Sequence, residues 1–172
     1  MSFLNIEIKA SCADPDQVRR YLQEHNASFK GEDHQVDTYF QTNNGRLKLR
    51  EGRIENNLIY YLRDNQAGPK SSHFNLVKSE DPAGLKDVLS KSMGIKVVVR
   101  KKREIYYIDN VKFHIDEVDG LGSFVEIEAG NLLADLSREQ LQEQCDHYIK
   151  ALGIREADML DRSYSDMLDQ EV

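Results

Sequence analysis

The stretch 111–129 reads VKFHIDEVDGLGSFVEIEA, and it decides the fold. Side chains alternate between the two faces of a β-strand, so residues two apart share a face. Apolar Phe113 therefore opposes charged neighbours in the first half of the stretch, and apolar Val125 and Ile127 do so in the second. The glycines in 120–122 mark a turn between the halves. The stretch predicts an antiparallel hairpin with one apolar face and one charged face.

Similar alternating stretches occur along the rest of the chain. Together they predict strands near 3–10, 35–42, 46–52, 58–63, 72–78, 97–108, 111–118 and 123–129. Turn-forming Asn and Gly residues separate several of them, which favours antiparallel pairing of neighbours. Eight strands are enough to close a barrel, and closure removes the exposed edges of the sheet.

Helix-forming segments alternate with these strands. Asp14 and Asp81 are each an N-cap followed by proline at the first helical position. Ser137 begins a third helix, near 137–151, and a fourth helical stretch covers about 158–168. Each Asp-Pro helix start follows one strand and precedes three, which predicts an internal duplication. The fold class is therefore α+β, an eight-stranded antiparallel barrel with helices packed on the outside.

The composition indicates one globular domain over residues 1–172. Of the 172 residues, 40% are hydrophobic and 31% are charged, which excludes a disordered chain. No apolar run approaches the length of a membrane helix. The net charge of −7 argues against a surface that binds nucleic acid. Cys12 and Cys145 are far apart, so we expect reduced thiols in a cytoplasmic protein.

Several predicted strands carry charges of one sign on their charged face. Arg46, Lys48 and Arg50 share a face of one strand, and Glu126 and Glu128 share a face of another. Strand faces in solvent usually mix signs, because aligned like charges repel. If the amphipathic helices cover the apolar faces, the charged faces line the inside of the barrel. The alternative is a structural barrel whose charged faces lie in solvent.

A lumen with a cationic wall and an acidic wall suits an anion that carries a metal ion. Arg and Lys bind phosphate oxygens through charge-assisted hydrogen bonds. Converging carboxylates bind hard divalent cations such as Mg²⁺ and Mn²⁺. The sequence contains no Gly-rich phosphate loop, so side chains would hold the phosphates. The pattern predicts a triphosphate chelated to Mg²⁺ or Mn²⁺.

Short motifs follow one another along nearly the whole chain. In order they are Asn5-Ile6-Glu7-Ile8-Lys9, Arg46-Leu47-Lys48-Leu49-Arg50, Tyr61-Leu62-Arg63, Lys101-Lys102-Arg103-Glu104-Ile105-Tyr106, the hairpin of 114–128, and Arg162-Ser163-Tyr164. In this order they resemble the CYTH superfamily, the triphosphate tunnel metalloenzymes. That superfamily includes class IV adenylyl cyclases, thiamine triphosphatases and inorganic triphosphatases. The Gly-Leu-Gly turn and the Arg-Ser-Tyr segment look closest to the class IV adenylyl cyclase branch.

The resemblance implies a role for each matched residue. The metal ligands would be Glu7, Asp116, Glu126 and Glu128. The phosphate ligands would be Lys9, Arg46, Lys48, Arg50, Arg63, Lys101, Arg103 and Arg162, with Lys70 and Lys78 as weaker candidates. Of these, Lys9 and Arg63 would also act in catalysis.

One position departs from the family pattern. Asn5 stands where the signature Glu-x-Glu-x-Lys has its first Glu. An amide oxygen can coordinate a metal, but it is uncharged and weaker than a carboxylate. This departure is compatible with a reduced metal affinity, with a changed substrate or with a lost activity.

The resemblance leaves two enzymatic functions open. A class IV adenylyl cyclase-like enzyme would convert ATP to cyclic AMP and pyrophosphate, and by analogy it would be a homodimer. A triphosphatase would hydrolyse thiamine triphosphate, inorganic triphosphate or a nucleotide. The alternative of another class is a non-catalytic module that binds a nucleotide or polyphosphate, which Asn5 motivates.

Overall fold

Eight strands close into a barrel in the computed structural model of the chain, which describes residues 2–63 and 65–169. The strands are β1 Phe3–Ser11, β2 Ser28–Phe40, β3 Arg46–Glu51, β4 Asn57–Arg63, β5 Lys70–Lys78, β6 Ile95–Ile108, β7 Val111–Val118 and β8 Gly122–Gly130. Their order around the barrel is β1-β5-β4-β3-β2-β6-β7-β8, with β8 returning to β1. All neighbours pair antiparallel, so the predicted fold class is confirmed.

The two halves of the chain build the barrel in the same way. β2-β3-β4 form one antiparallel meander and β6-β7-β8 form another, while β1 and β5 pair with each other. Helices α1 (Pro15–Glu24) and α2 (Pro82–Met93) also begin alike. The carboxylates of Asp14 and Asp81 each accept a hydrogen bond from the backbone N–H three residues on, at 3.3 and 3.0 Å. This symmetry is what a duplication would produce, and the common origin of the halves stays a prediction.

The largest apolar cluster lies outside the barrel, between strands and helices. Helix α3 (Arg138–Ala151) packs with α1 over the apolar faces of β1, β7 and β8. Leu22 and Leu141 from the helices are buried there with Ile6 and Ile127 from the strands. Because alternate residues of a strand face opposite sides, the charged faces of these strands point into the lumen. The prediction of an inward charged face is confirmed.

The start of β2 differs from the prediction. The strand begins at Ser28, well before residue 35, and pairs with β6 over its whole length. Residues 28–34 are mostly polar on both faces, so no apolar alternation marks them as strand. Long-range pairing with β6 therefore extends β2 beyond what its own sequence indicates.

The last predicted helix, 158–168, is wrong in its first half. Met159 forms a β-bridge with Ala10, and the N–H of Leu160 donates to the carbonyl of Lys9 at 2.9 Å. Met159 packs on the outer apolar cluster and Leu160 on an inner one, as neighbours do in extended chain. The helix was predicted because two adjacent apolar residues, Met159 and Leu160, also fit the apolar face of a helix. Helix α4 is short, Tyr164–Asp169, and follows a single 3₁₀ turn.

The helices of the described chain are otherwise those expected. Ser137 caps α3 with a reciprocal side-chain pair to Gln140, as its sequence predicts. None of the helices in residues 2–63 and 65–169 is both long and apolar enough to cross a membrane.

Candidate functional site

The barrel lumen encloses a cavity whose walls are mostly charged. Among the described residues, the cations that line it are Lys9, Lys48, Arg50, Arg63, Lys101, Arg103 and Lys112. The carboxylates that line it are Glu7, Asp37, Glu55, Glu126 and Glu128. Cations outnumber carboxylates in this part of the structure, so the cavity favours an anionic guest.

Asp37 on β2 lies at the centre of the basic wall. Arg50 on β3 donates to both its oxygens, at 2.9 and 2.8 Å. Lys101 on β6 lies 2.6 Å from Oδ2, and Lys48 lies 3.8 Å from it. Burial acts to raise the pKa of Asp37, but the three cations hold it well below its usual range. One carboxylate thus faces three cations, and this wall keeps a net positive charge.

A second buried ion pair joins β6 to β7. Arg103 donates to both oxygens of Asp116 at 2.7 Å, and the hydroxyl of Tyr164 donates to Oδ2 at 2.8 Å. Burial would raise the pKa of Asp116, but the Arg103 guanidinium lowers it to about 2. Both oxygens of this predicted metal ligand are therefore engaged by protein donors.

Part of the Arg63 guanidinium makes no hydrogen bond within the described chain. Its Nη1 donates to Glu7 Oε1 at 3.2 Å. Its Nε and Nη2 are buried and have no hydrogen-bond partner within the described chain. A buried guanidinium with unpaired N–H groups is costly unless a guest accepts from them. Arg63 is therefore placed to donate to an anion in the cavity.

The acidic wall is formed by β1 and β8. Glu7 and Glu128 are cross-strand partners, and Glu126 lies 3.4 Å from Lys9 Nζ. Burial and the negative charge of Glu126 raise the pKa of Glu128 well above its usual range. Two neighbouring carboxylates in the cavity repel each other when both are ionised, and a shared cation would relieve that repulsion.

His114 on β7 adjoins the same carboxylates. The residue is 1% exposed, and burial lowers the pKa of its imidazole to about 3, so the ring is neutral at pH 7. A ring nitrogen of His114 and one oxygen from each of Glu126 and Glu128 lie within 4.8 Å of one another. His114 alternates with Phe113 and Ile115 and so shares the charged face of its strand, but it was not among the predicted metal ligands.

Three tyrosines, Tyr39, Tyr61 and Tyr164, also line the cavity. The ring of Tyr164, at the start of α4, lies 3.7 Å from Lys9 Nζ. The Lys48 ammonium lies 5.7 and 5.2 Å from the rings of Tyr39 and Tyr61. The faces of these rings carry partial negative charge that stabilises the buried ammonium groups. The segment predicted from Arg162-Ser163-Tyr164 therefore reaches the site through its tyrosine.

Three predicted phosphate ligands lie outside the centre of the lumen. Arg46 donates to Ser163 Oγ at 2.6 Å and to Asp166 at 2.8 Å, which ties β3 to α4 at the rim. Arg162 Nε lies 3.2 Å from Asp161, and the side chain is 41% exposed. Lys78 is exposed at the far end of β5. Their roles in phosphate binding stay predictions.

Three charged residues that line the cavity, Asp37, Glu55 and Lys112, were not among the predicted site residues. Asp37 shares an inward face with Tyr39, and Lys112 shares one with His114, so strand alternation could have found both. Glu55 lies in the loop between β3 and β4, where no alternation exists, and it accepts from Lys112 at 2.7 Å. Lys70, a weaker candidate, is buried, and its Nζ donates to the Gln66 and Leu160 carbonyls.

The chain is similar to known proteins over nearly its whole length. The model of the family described as CYTH domain matches residues 4–164. A protein of Methanocaldococcus jannaschii, provisionally named an adenylate cyclase, is 27% identical over 180 residues. The match covers 95% of this chain and 98% of that protein.

Solved structures share the barrel. A conserved hypothetical protein of Pyrococcus furiosus has a TM-score of 0.79 at 24% identity, covering 94% of this chain and 98% of that one. A provisionally named adenylate cyclase of Vibrio parahaemolyticus has a TM-score of 0.75 at 17% identity, covering 96% of this chain and 97% of that one. At these identities the likeness shows the fold.

Proposed function

This chain belongs to the CYTH domain family, and from that premise we propose that it is a metal-dependent enzyme acting on a triphosphate in its lumen. The observation that carries the proposal is the division of the buried charges. A net positive wall surrounds Asp37, and an acidic wall contains Glu126 and Glu128. A triphosphate chelated to a divalent cation presents the opposite charge to each wall.

The triphosphate would lie along the basic wall, in reach of Lys48, Arg50 and Lys101. Each of these cations now faces the carboxylate of Asp37. Phosphate oxygens are acceptors of the same kind and could share or replace that partner. The unpaired N–H groups of Arg63 would add two donors without breaking any bond.

The proposed cation is Mg²⁺ or Mn²⁺, held on the acidic wall by Glu126 and Glu128 with Glu7 and Asp116 beside them. Carboxylate oxygens are the donors that these cations prefer, and the repulsion between Glu126 and Glu128 fits a site for positive charge. When bound, the cation would neutralise charge that develops on the phosphoryl oxygens. Turning Arg63 and Arg103 toward phosphate would free Glu7 Oε1 and Asp116 Oδ1, while Tyr164 would still donate to Asp116 Oδ2.

Lys9 and Arg63 are the proposed catalytic residues. They project from neighbouring parts of the wall, and both contact the acidic side, Lys9 at Glu126 and Arg63 at Glu7. Positive groups fixed at this junction would stabilise charge on the reacting phosphoryl group, without reorganising during the reaction. Lys9 is oriented by Glu126 and by the ring of Tyr164.

Two reactions fit the same lumen, and the branch resemblance favours the first. In cyclisation the ribose 3′-hydroxyl of ATP attacks the α-phosphorus, the hydroxyl proton is lost, and pyrophosphate leaves. In hydrolysis water attacks the terminal phosphorus of a triphosphate, the bond to the bridging oxygen breaks, the diphosphate leaves, and the transferred phosphoryl group becomes orthophosphate with loss of a proton. The name of the M. jannaschii relative also supports cyclisation. A homodimer and a cytoplasmic location stay predictions.

Product analysis tests the proposal. The full chain is incubated separately with ATP, thiamine triphosphate and inorganic triphosphate, each with Mg²⁺, with Mn²⁺ or with EDTA. We expect metal-dependent formation of cyclic AMP and pyrophosphate from ATP. Orthophosphate release instead would support the triphosphatase reaction, and the best substrate would identify it. Tight binding without product from any of them would overturn the enzyme and favour the binding module that Asn5 motivates.

A further inference from the structure

His114 is a buried polar side chain without a hydrogen-bond partner, next to the acidic wall of the site. Its residue is 1% exposed, and neither ring nitrogen has a hydrogen-bond partner anywhere in residues 2–63 and 65–169. Buried polar groups are nearly always hydrogen-bonded, so such an exception needs an explanation. Its nearest carboxylate oxygen, Glu126 Oε2, is 3.9 Å from Nδ1, too far for a hydrogen bond.

Within the described chain, the two residues paired with His114 across the sheet offer it no hydrogen bond. Ile105 on β6 is apolar, and Glu126 on β8 is the carboxylate at 3.9 Å. Arg103 and Lys112 are cations, and they donate to Asp116 and Glu55. The groups left beside the imidazole are the carboxylates of the acidic wall.

We propose that His114 is a metal ligand, so that the lumen's cation site joins an imidazole nitrogen to the carboxylates of Glu126 and Glu128. The three donor atoms lie within 4.8 Å of one another, a separation that a single ion between them can span after small side-chain rotations. The inference rests on the proposed function, because it concerns the cation of the same site. An ion would also give His114 the partner that it lacks.

The other expected ligands are less available. Both oxygens of Asp116 accept from Arg103, and one also accepts from Tyr164. Glu7 accepts from Arg63. Asn5 lines the cavity but has no charge where the family signature has a carboxylate. A third strong donor beside Glu126 and Glu128 is therefore the imidazole.

A nitrogen ligand changes which metal the site prefers. Mg²⁺ favours oxygen donors alone and keeps much of its water, whereas imidazole suits first-row transition metals. The site is therefore expected to bind Mn²⁺ more tightly than Mg²⁺. Replacing His114 should lower the affinity for Mn²⁺ by at least about tenfold. Even the loss of a residue that only hydrogen-bonds a metal ligand lowers metal affinity by about 10–100-fold.

Electron spin-echo spectroscopy of Mn²⁺ tests the ligand directly. The full chain is loaded with Mn²⁺ alone, and modulation from a directly bound ¹⁴N nucleus is recorded. We expect this modulation in the wild type, its loss in His114→Gln, and its retention in His147→Gln, an exposed residue of α3. Labelling the histidines with ¹⁵N should move the modulation to the ¹⁵N frequency in the unaltered protein.

A second variant keeps the test independent of how His114→Gln folds. The chain has five histidines, and the other four, His25, His34, His73 and His147, are exposed. Replacing all four by glutamine should leave the modulation intact. Mn²⁺ bound without nitrogen modulation, modulation lost in the four-histidine variant, or no Mn²⁺ binding would each overturn the inference. Nitrogen-coupled Mn²⁺ in a protein that turns over no triphosphate would instead leave the inference standing and overturn the proposed function.

Discussion

The Asp37→Asn variant is expected to unfold with a free energy about 3–5 kcal/mol below that of the wild type. Asp37 is 1% exposed and is the carboxylate shared by Arg50, Lys101 and Lys48. Loss of its charge removes the carboxylate partner of buried Lys101 and of Lys48, and leaves Arg50 paired with Glu55 at 3.6 Å. Urea denaturation at neutral pH measures the loss. The matched control is Asp87→Asn, an exposed pair with Lys91 on α2, which should cost at most about 1 kcal/mol.

Inorganic triphosphate should restore much of that stability. The basic wall is the proposed phosphate site, so phosphate oxygens can take the place of the missing Asp37 carboxylate. A ligand that binds only the folded state stabilises it by RT ln(1 + [L]/Kd), so tighter binding gives a larger rise at the same concentration. The rise in melting temperature at a fixed triphosphate concentration should therefore be larger in Asp37→Asn than in the wild type. An equal or smaller rise would show that the wall around Asp37 is structural only.

Replacing Glu126 by glutamine is expected to reduce turnover by at least about 100-fold, because loss of a metal's outer partners alone costs up to about that much. Glutamine keeps the shape of the side chain but removes its charge. Glu126 is central to the acidic wall: it lies 3.4 Å from Lys9 and 3.7 Å from Arg103, and its neighbours include Glu128. Its neutralisation should weaken metal binding and remove the ion pair that orients Lys9.

Kinetics across a range of Mn²⁺ concentrations measure this effect, with the melting temperature as a check on folding. Glu117→Gln is the control, since Glu117 pairs with Lys102 on the outer surface of the same sheet and is 66% exposed. We expect the Glu126 variant to need far more Mn²⁺ and to stay slow at saturation. Turnover and metal dependence equal to those of Glu117→Gln would remove Glu126 from the site.

Strand alternation was sufficient to predict the barrel, because a side chain's face in a strand depends only on its position along the chain. The hairpin of 111–129 and the inward face of Arg46–Arg50 were found in this way. The start of β2 was missed because its residues are polar on both faces and rely on β6 for pairing. The extended segment at Met159 was missed because two adjacent apolar residues fit a helix and a strand equally well.

The site was predicted by charge sign but not by charge partner. Single-sign runs identify which residues face the lumen, yet sequence spacing does not say that Asp37 lies between Arg50 and Lys101, which come from different strands. Glu55 enters the cavity from a loop, where no periodic pattern applies. His114 stood on the correct face, but only the structure shows that its ring nitrogens lack partners among the described residues.

If the lumen holds a triphosphate, inorganic triphosphate should bind the full chain in the presence of Mn²⁺, and calorimetric titration measures that binding. Lys48 is the most suitable position for a substitution. Its ion pair with Asp37 is long, at 3.8 Å, and its side chain is 15% exposed, so its loss should disturb the fold little. We expect one triphosphate site per chain. Its affinity should fall at least about tenfold in Lys48→Ala, because a charge-assisted contact is lost. Lys91→Ala, whose side chain is 75% exposed on α2, should bind as the wild type does. Absence of binding to the wild type, or equal weakening in both variants, would contradict the account.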